Sequence, residues 1–369
     1  MPKLYFVIFI VIALSVYGAM HWFVYQRIAA GLVLSVGQRL AFKIIMLAGA
    51  LSFILAELIS RQKPVYLLRL AGFIWMGVIA IALAFLVLEF ILSLLFPASR
   101  HSFVIGALAI ISLISGFSIF NGSRYPQVRE VLVPFENLAP ELAGFSIVQL
   151  SDLHLGNLAS LKRLHWIVQK VNALQPDLIC VTGDILDGDI CQSDEYCRLL
   201  LELKARHGVV AVTGNHEFYA GIDLFLELAR KSNWRVLRNQ TWSLDNKLDI
   251  IGLDDDAGKG FKFPGPDLSG ALRSAAAHVP KILLYHRPAG FPAAVRQGVD
   301  LQLSGHTHAG QIPPMDLLVW LIYKYPSGLY RLEQSHIYTS AGTGTWGPPM
   351  RFLSRSEIVK LVLCVKKTG

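Results

Sequence analysis

Charge is scarce in this chain of 369 residues: Asp, Glu, Lys and Arg make up 16%, against 53% hydrophobic residues, with mean hydropathy +0.48. That balance excludes an ordinary soluble enzyme of this length. Acidic residues are nearly missing from the first 120 positions, where only Glu57 and Glu89 stand against eight Lys and Arg. Cysteine is limited to Cys180, Cys191, Cys197 and Cys364, with no zinc-like spacing. Cys180 reads as a small hydrophobe inside a strand. Cys191 and Cys197 could pair outside the cytosol, and their spacing does not decide it. Internal repeats and low-complexity tracts are lacking. So is a basic stripe interleaved with aromatics, which argues against a nucleic-acid surface despite a net charge of +8.

The chain is rich instead in long apolar runs. Leu4–Tyr25, Lys43–Ile59, Leu70–Phe96 and Ser102–Phe120 are each read as bilayer spans, which need about 20 residues, the second being marginal. A cleaved signal peptide is the alternative for the first run. Its apolar core would be unusually long and three more runs follow, so a multi-pass membrane anchor is expected. Four spans put the N-terminus and the C-terminal part on one side, with Lys3, Arg61, Lys63, Arg69, Arg124 and Arg129. Arg27, Arg39, Lys43 and Arg100 lie on the other. The imbalance leans towards a cytoplasmic C-terminal domain at the inner membrane. Glu89 falls within a span, where a carboxyl is expected to be protonated or paired inside the bundle; a functional role is the alternative. Glu57 lies near a span end.

The expected organisation is a transmembrane domain over 1–120, a polar connector over 121–140 with a short strand at Val128–Val133, and an α/β domain over 141–369. There the periodicity predicts helices at Leu161–Leu174, Asp194–Arg206, Ile222–Lys231 and Asp267–His278. Strands are expected at Phe145–Leu150, Leu178–Thr182, Val209–Thr213, Arg235–Arg238, Asp249–Leu253, Ile282–Tyr285, Leu301–Ser304, His336–Ser340 and Ile358–Val365. Such alternation implies one α/β domain with mixed sheets.

Polar clusters stand at the ends of five of these strands: Asp152-Leu153-His154, Gly183-Asp184, Gly214-Asn215-His216-Glu217, His286, and Gly305-His306-Thr307-His308-Ala309-Gly310-Gln311. Strand ends are where an α/β scaffold presents side chains to a common crevice. Singly, each admits a bland reading: a turn, a helix cap or a satisfied histidine. Two imidazoles two apart in a Gly-bracketed turn are harder to dismiss, because that arrangement suits metal ligation.

In order, these residues resemble the calcineurin-like metallophosphoesterase superfamily, whose pattern D-x-H, G-D, G-N-H-[DE], H, G-H-x-H is complete here over roughly Gly144 to Val365. Glu217 stands where Asp is more frequent. The Gly305–Gln311 stretch, with Tyr325–Tyr330 and Gly344–Pro349, is similar to the membrane-associated bacterial branch of YkuE- and YaeI-type phosphodiesterases. The resemblance implies a four-layer αββα sandwich behind a membrane domain of four helices. It implies that Asp152, His154 and His308 hold one metal and Asn215, His286 and His306 another, with Asp184 bridging. His216 would stabilise developing charge or protonate the leaving oxygen. A bridging hydroxide would attack a phosphodiester or pyrophosphate bond. Ligation by nitrogen and oxygen without thiolate suits Mn, Zn or Fe. Asp187 is a candidate for orienting a ligand, and the alternative is a helix-start carboxylate. Glu217 is a lesser candidate beside the site, and Arg287 and Arg351 are candidate phosphate contacts.

Met315–Tyr325 is a very apolar insertion just after the His pair. It is read as an interfacial segment, with Trp320, Tyr323 and Tyr325 at headgroup depth and Lys324 reaching phosphates; core packing is the alternative. A lipid-linked phosphoester is therefore the preferred substrate. The rivals are a soluble phosphodiester or nucleotide at the same site, and a transport or sensing protein regulated by the metal domain.

Overall fold

The structure, a computed structural model, describes residues 3–366 apart from 60–65, 137, 157 and 188–192. Cys191, Arg61 and Lys63 therefore lie outside the described residues. The chain divides into two compact units. One comprises residues 1–124 with 310–318 and 347–353; the other holds the remaining residues.

The first unit is built on four helices: α1 (Lys3–Gly31), α2 (Val36–Ile59), α3 (Tyr66–Leu95) and α4 (Arg100–Ser123). Among the described residues, Val36–Ala56, Tyr66–Leu95 and Pro97–Ser123 are long and apolar enough to cross a membrane. Three of the four expected spans thus meet that criterion, and the second helix is longer than its apolar run suggested. Two segments from late in the chain complete this unit. Ile312 and Met350 join its apolar core. The Arg351 amide donates to the Ser118 carbonyl (2.9 Å), and Asn121 Nδ2 donates to the Arg351 carbonyl (3.0 Å). Glycine at 122 is required there, since a Cβ would lie 2.3 Å from the Pro349 carbonyl oxygen.

Glu89 on α3 is buried and paired. Arg27 on α1 grips it in bidentate fashion (2.9 and 2.8 Å), Ser93 donates to it, and the guanidinium lies 4.7 Å from the Phe90 ring centroid. The carboxylate is accounted for as a helix-to-helix tie, the paired reading of the sequence. Breaking one side of a buried pair costs about 3 kcal/mol or more, whereas replacing both with apolar groups is often neutral. Arg27→Met is therefore expected to lower the melting temperature in detergent substantially. The double variant Arg27→Met/Glu89→Leu should recover most of the loss.

The second unit is a four-layer sandwich. In chain order it contains β1 (Gln127–Phe135), β2 (Ser146–Leu150), β3 (Leu155–Gly156), α5 (Leu161–Ala173), β4 (Leu178–Val181), β5 (Leu186–Asp187), α6 (Ser193–Leu201), β6 (Val209–Ala211), α7 (Asn215–Ala220), α8 (Ile222–Lys231), β7 (Arg235–Val236), β8 (Gln240–Leu244) and β9 (Leu248–Gly252). There follow α9 (Leu268–Ala271), β10 (Lys281–Leu284), α10 (Phe291–Arg296), β11 (Leu301–Ser304), α11 (Met315–Ile322, of which residues 319–322 belong to this unit), β12 (Gly328–Leu332), β13 (Ser335–Thr339) and β14 (Glu357–Val365). One sheet runs β1-β14-β2-β4-β6-β7 and the other β12-β13-β11-β10-β9-β8, each mixed; β3 and β5 form a separate pair.

Alternation decides the layers. Ile147, Leu178 and Cys180 point inward, where they meet Ile282, Leu284 and Leu303 of the facing sheet. Their neighbours Val148, Leu150, Ile179 and Val181 point outward under α5, α6 and α8. The expected helix over Asp267–His278 is only the four residues of α9 followed by a 3-10 turn at Leu272–Ser274. It stops because the Asp249 carboxylate takes the Ala276 amide (2.7 Å), pulling the backbone into an extended path. Likewise β7 ends early, and Arg238 turns to a bidentate pair with Asp254. The helices α7, α10 and α11, the edge strands β8 and β12 and the β3–β5 pair are additions to the periodicity-based reading.

Candidate metal centre

The turns that follow β2, β4, β6, β10 and β11 converge at one end of the sandwich. Three groups of side chains there bring ligand atoms within 4.8 Å of one another: Asp152, His154 and His308; Asp184, His286 and His306; and His154, Asp187 and His216. The first two coincide with the sets expected to hold the two metals, apart from Asn215. His154 Nε2 and His308 Nε2 are 3.1 Å apart, and His308 Nε2 is 3.3 Å from Asp152 Oδ1. In the other set, His286 Nε2 lies 3.1 Å from Asp184 Oδ2 and 3.2 Å from His306 Nδ1. Asp184 Oδ2 is also 3.9 Å from His154 Nε2, so this carboxylate stands between the two sets.

The backbone is bent to achieve this. Asp152, His154, Asp184, His306 and His308 all have φ between 46° and 72°, in the left-handed region that costs an L-residue about 1 kcal/mol or more. Several buried contacts hold the turns in place. The Asp152 carboxylate accepts from Ser151 Oγ (2.5 Å) and the His306 amide (3.1 Å). The Gly344 amide donates to the Asp152 carbonyl and the Thr343 amide to that of Ser151. Glu217, fully buried, accepts from the amides of Asp184 (2.9 Å), Ile185 (2.7 Å), Leu186 (3.2 Å) and Gly214 (2.6 Å). It is thus a clamp on two ligand-bearing turns. Glycine is needed at 305, where a Cβ would lie 2.3 Å from Asp152 Oδ2, and at 214, where it would lie 2.2 Å from Asp184 Oδ1.

The donor chemistry fits cations. Asn215 Oδ1 is buried without a hydrogen-bond partner, a carbonyl oxygen that a bound cation would satisfy. His286 Nδ1 lies 2.8 Å from the Thr182 carbonyl, so that nitrogen carries the proton and Nε2 faces the cluster. Burial pulls His154 down to about 4 and His306 to about 3, leaving both neutral, as ligation requires. Burial pushes Asp152 up to about 6. For His286, burial opposes charge, but Asp184 outweighs it and raises the imidazole to about 10; a cation would displace that proton. Burial would raise Asp184, yet the surrounding imidazoles, His286 foremost, hold it well below the usual carboxylate range.

Asp187 lies 3.2 Å from His216, Oδ1 to Nδ1, and raises that imidazole against the opposing effect of burial. Arg287 is held in bidentate fashion by fully buried Asp255 (2.7 and 3.0 Å), with Nη1 3.4 Å from His306 Nε2. Arg351 belongs to the helical unit and is fully buried there. Asp255 was missed by the sequence reading, although Asp254 and Asp255 follow a strand as the recognised clusters do. Rings also stand near the cluster, of which only Tyr323 was given a role in the sequence, at headgroup depth. Tyr219 and Trp346 have centroids 5.5 and 6.0 Å from that of His216, and Tyr323 lies 6.1 Å from His306. Tyr325, expected at headgroup depth, is instead buried against Phe291 and Tyr330, a correction that follows from the turn into β12.

The αββα sandwich thus gathers His, Asp and Asn at its strand ends, a donor set suited to divalent cations. Residues 145–310 match the calcineurin-like phosphoesterase family. An uncharacterized metallophosphoesterase of Aquifex aeolicus (strain VF5) is 34% identical over 247 residues, covering 66% of this chain and 93% of that protein. The Bacillus subtilis (strain 168) metallophosphoesterase YkuE is 36% identical over 231 residues, covering 60% and 79%. A transmembrane protein with metallophosphoesterase domain from Danio rerio is 35% identical over 269 residues, covering 70% of this chain and 62% of its own length. The chain thus spans under two thirds of that relative. The chain belongs to the calcineurin-like metallophosphoesterase family, and it is a membrane protein.

Glu217→Gln presents an amide N–H₂ to backbone donors, leaving buried N–H groups unpaired. Metal affinity measured by calorimetry should fall about ten- to a hundredfold, while Glu227→Gln on the exposed face of α8 should have no effect.

Proposed function

We propose that this protein is a membrane-anchored, dinuclear phosphohydrolase cleaving a phosphodiester or pyrophosphate bond in a lipid-linked substrate. The observation that carries the dinuclear reading is Asp184, which groups with His286 and His306 and also lies 3.9 Å from His154 of the Asp152, His154 and His308 group. Asp152, His154 and His308 would hold one cation and Asn215, His286 and His306 the other, with Asp184 shared. Mn, Zn or Fe suits such a donor set, and when bound they supply Lewis acidity and a water ionised near neutral pH.

The protein's own groups do the rest. His216, held by Asp187, gives a proton to the departing oxygen as the phosphorus–oxygen bond breaks. Arg287 offers an N–H beside His306 to a phosphoryl oxygen, and Asp255 keeps the guanidinium from swinging away. Glu217 keeps Asp184 and Asn215 in register without touching substrate.

The lipid preference is supported by α11. Trp320, Leu321 and Ile322 are 72–73% exposed, and they lead directly into Tyr323 beside His306. Exposed apolar side chains next to a phosphoryl site suit an acyl chain or a membrane interface. The four helices, a multi-pass arrangement and a cytoplasmic catalytic unit at the inner membrane complete the proposal.

Chelation should abolish hydrolysis and Mn or Zn should restore it. Asp187→Asn should lower kcat about ten- to a hundredfold with KM little changed, measured on bis(4-nitrophenyl) phosphate. The triple change Trp320→Ser/Leu321→Ser/Ile322→Ser should cut turnover of a lipid diphosphate in vesicles about tenfold and spare that soluble diester. Equal losses on both substrates would remove the lipid preference and leave a soluble substrate as the reading.

A further inference from the structure

The side of the cluster that carries His216 is lined by rings. Tyr219 lies one helical turn after His216 on α7 and is 59% exposed; Trp346 is 51% exposed. Both approach the imidazole edge to face, at interplanar angles of 64° and 75°. Phe261, 40% exposed, extends the surface from Tyr219 at a centroid distance of 6.0 Å. Three exposed aromatics, two of them edge to face with one histidine and the third against Tyr219, make an apolar patch of the kind that marks a ligand-binding surface.

We propose that Tyr219, Trp346 and Phe261 form a subsite for a planar, aromatic leaving group. The inference rests on the hydrolase reading above and on the role of His216 there. If His216 protonates the departing oxygen, the group that this oxygen carries must lie against the rings around His216. A planar group with polar edges matches them better than an acyl chain does. Ring faces stack on ring faces, which an acyl chain cannot do. The substrate is then recognised in two places, an apolar portion beside α11 and Tyr323 and a planar portion beside His216.

The test uses the full-length, metal-loaded protein and two phosphonates that cannot be hydrolysed, phenylphosphonate and methylphosphonate, with binding read by calorimetry. The wild type should bind the phenyl compound more tightly. Tyr219→Ala and Trp346→Ala should each narrow that preference about three- to tenfold while leaving methylphosphonate affinity unchanged. Trp346→Phe should keep most of it. In parallel, two methyl phosphodiesters are compared, one releasing 4-nitrophenol and one releasing 2,2,2-trifluoroethanol. The alanine variants should raise KM for the aryl ester selectively, and the ratio between variants cancels intrinsic leaving-group reactivity. Equal wild-type affinity for the two phosphonates, or equal losses on both in the variants, would overturn the subsite. So would a decyl phosphonate that binds more tightly than the phenyl compound and loses as much on substitution. Failure of the hydrolase reading would look different, with neither diester turned over at any metal loading.

Discussion

The fold is organised around a local backbone problem: side chains must leave strand ends and turn back to meet one another within a few ångströms. An L-residue can do so by entering the left-handed region, and five of the seven candidate ligands are there. That conformation persists only where surrounding contacts over-determine it. Here the contacts are buried and charge-assisted: Glu217 takes four amides, Asp152 takes an amide and a hydroxyl, and the 343–344 segment fastens the turn behind Asp152. The rest of the unit, two sheets with helices outside, provides the rigid edge from which these turns project.

Electrostatics and geometry then reinforce one another. Packing several imidazoles and carboxylates into a buried cluster is costly unless opposite charges compensate. Asp184 sits where it can serve both halves, and its charge is sustained by the histidines around it. Neutral His154 and His306 supply lone pairs, and the partnerless Asn215 oxygen supplies a further acceptor position. Beyond the cluster, carboxylates hold two further side chains in place: Asp187 beside His216 and Asp255 beside Arg287. In the helical unit the same logic recurs, with Arg27 and Glu89 satisfying each other within an apolar bundle.

Much of this was legible in the sequence. The candidate ligands could be picked out because each stands in a polar cluster closing an apolar strand, and chemistry restricts what such positions hold. Continuous apolar runs gave β2, β4, β10, β11, β13 and β14 nearly to the residue, and helical spacing gave α8 to both ends. What could not be read depended on long-range partners. Asp249 shortens a helix that periodicity predicts at full length, because it captures an amide 27 residues away. Glu217 reads only as a lesser candidate beside the site, and its carboxylate is consumed by backbone amides 31–33 residues back as well as by Gly214. Tyr325 shares an apolar stretch with exposed Trp320 but is buried, and only the turn into β12 separates them. The Gly347–Leu353 segment reads as part of the catalytic half, whereas its backbone bonds to α4 within the helical unit.

The central claim is that two cations share Asp184. Metal content per chain by elemental analysis, after equilibration with Mn or Zn and desalting, tests it directly for the wild type, Asn215→Ala and Asp184→Asn. The account predicts two ions in the wild type, one in Asn215→Ala, and at most one weakly held ion in Asp184→Asn. A wild type that retains a single ion, or an Asp184→Asn variant that retains two with unchanged affinity, would contradict it.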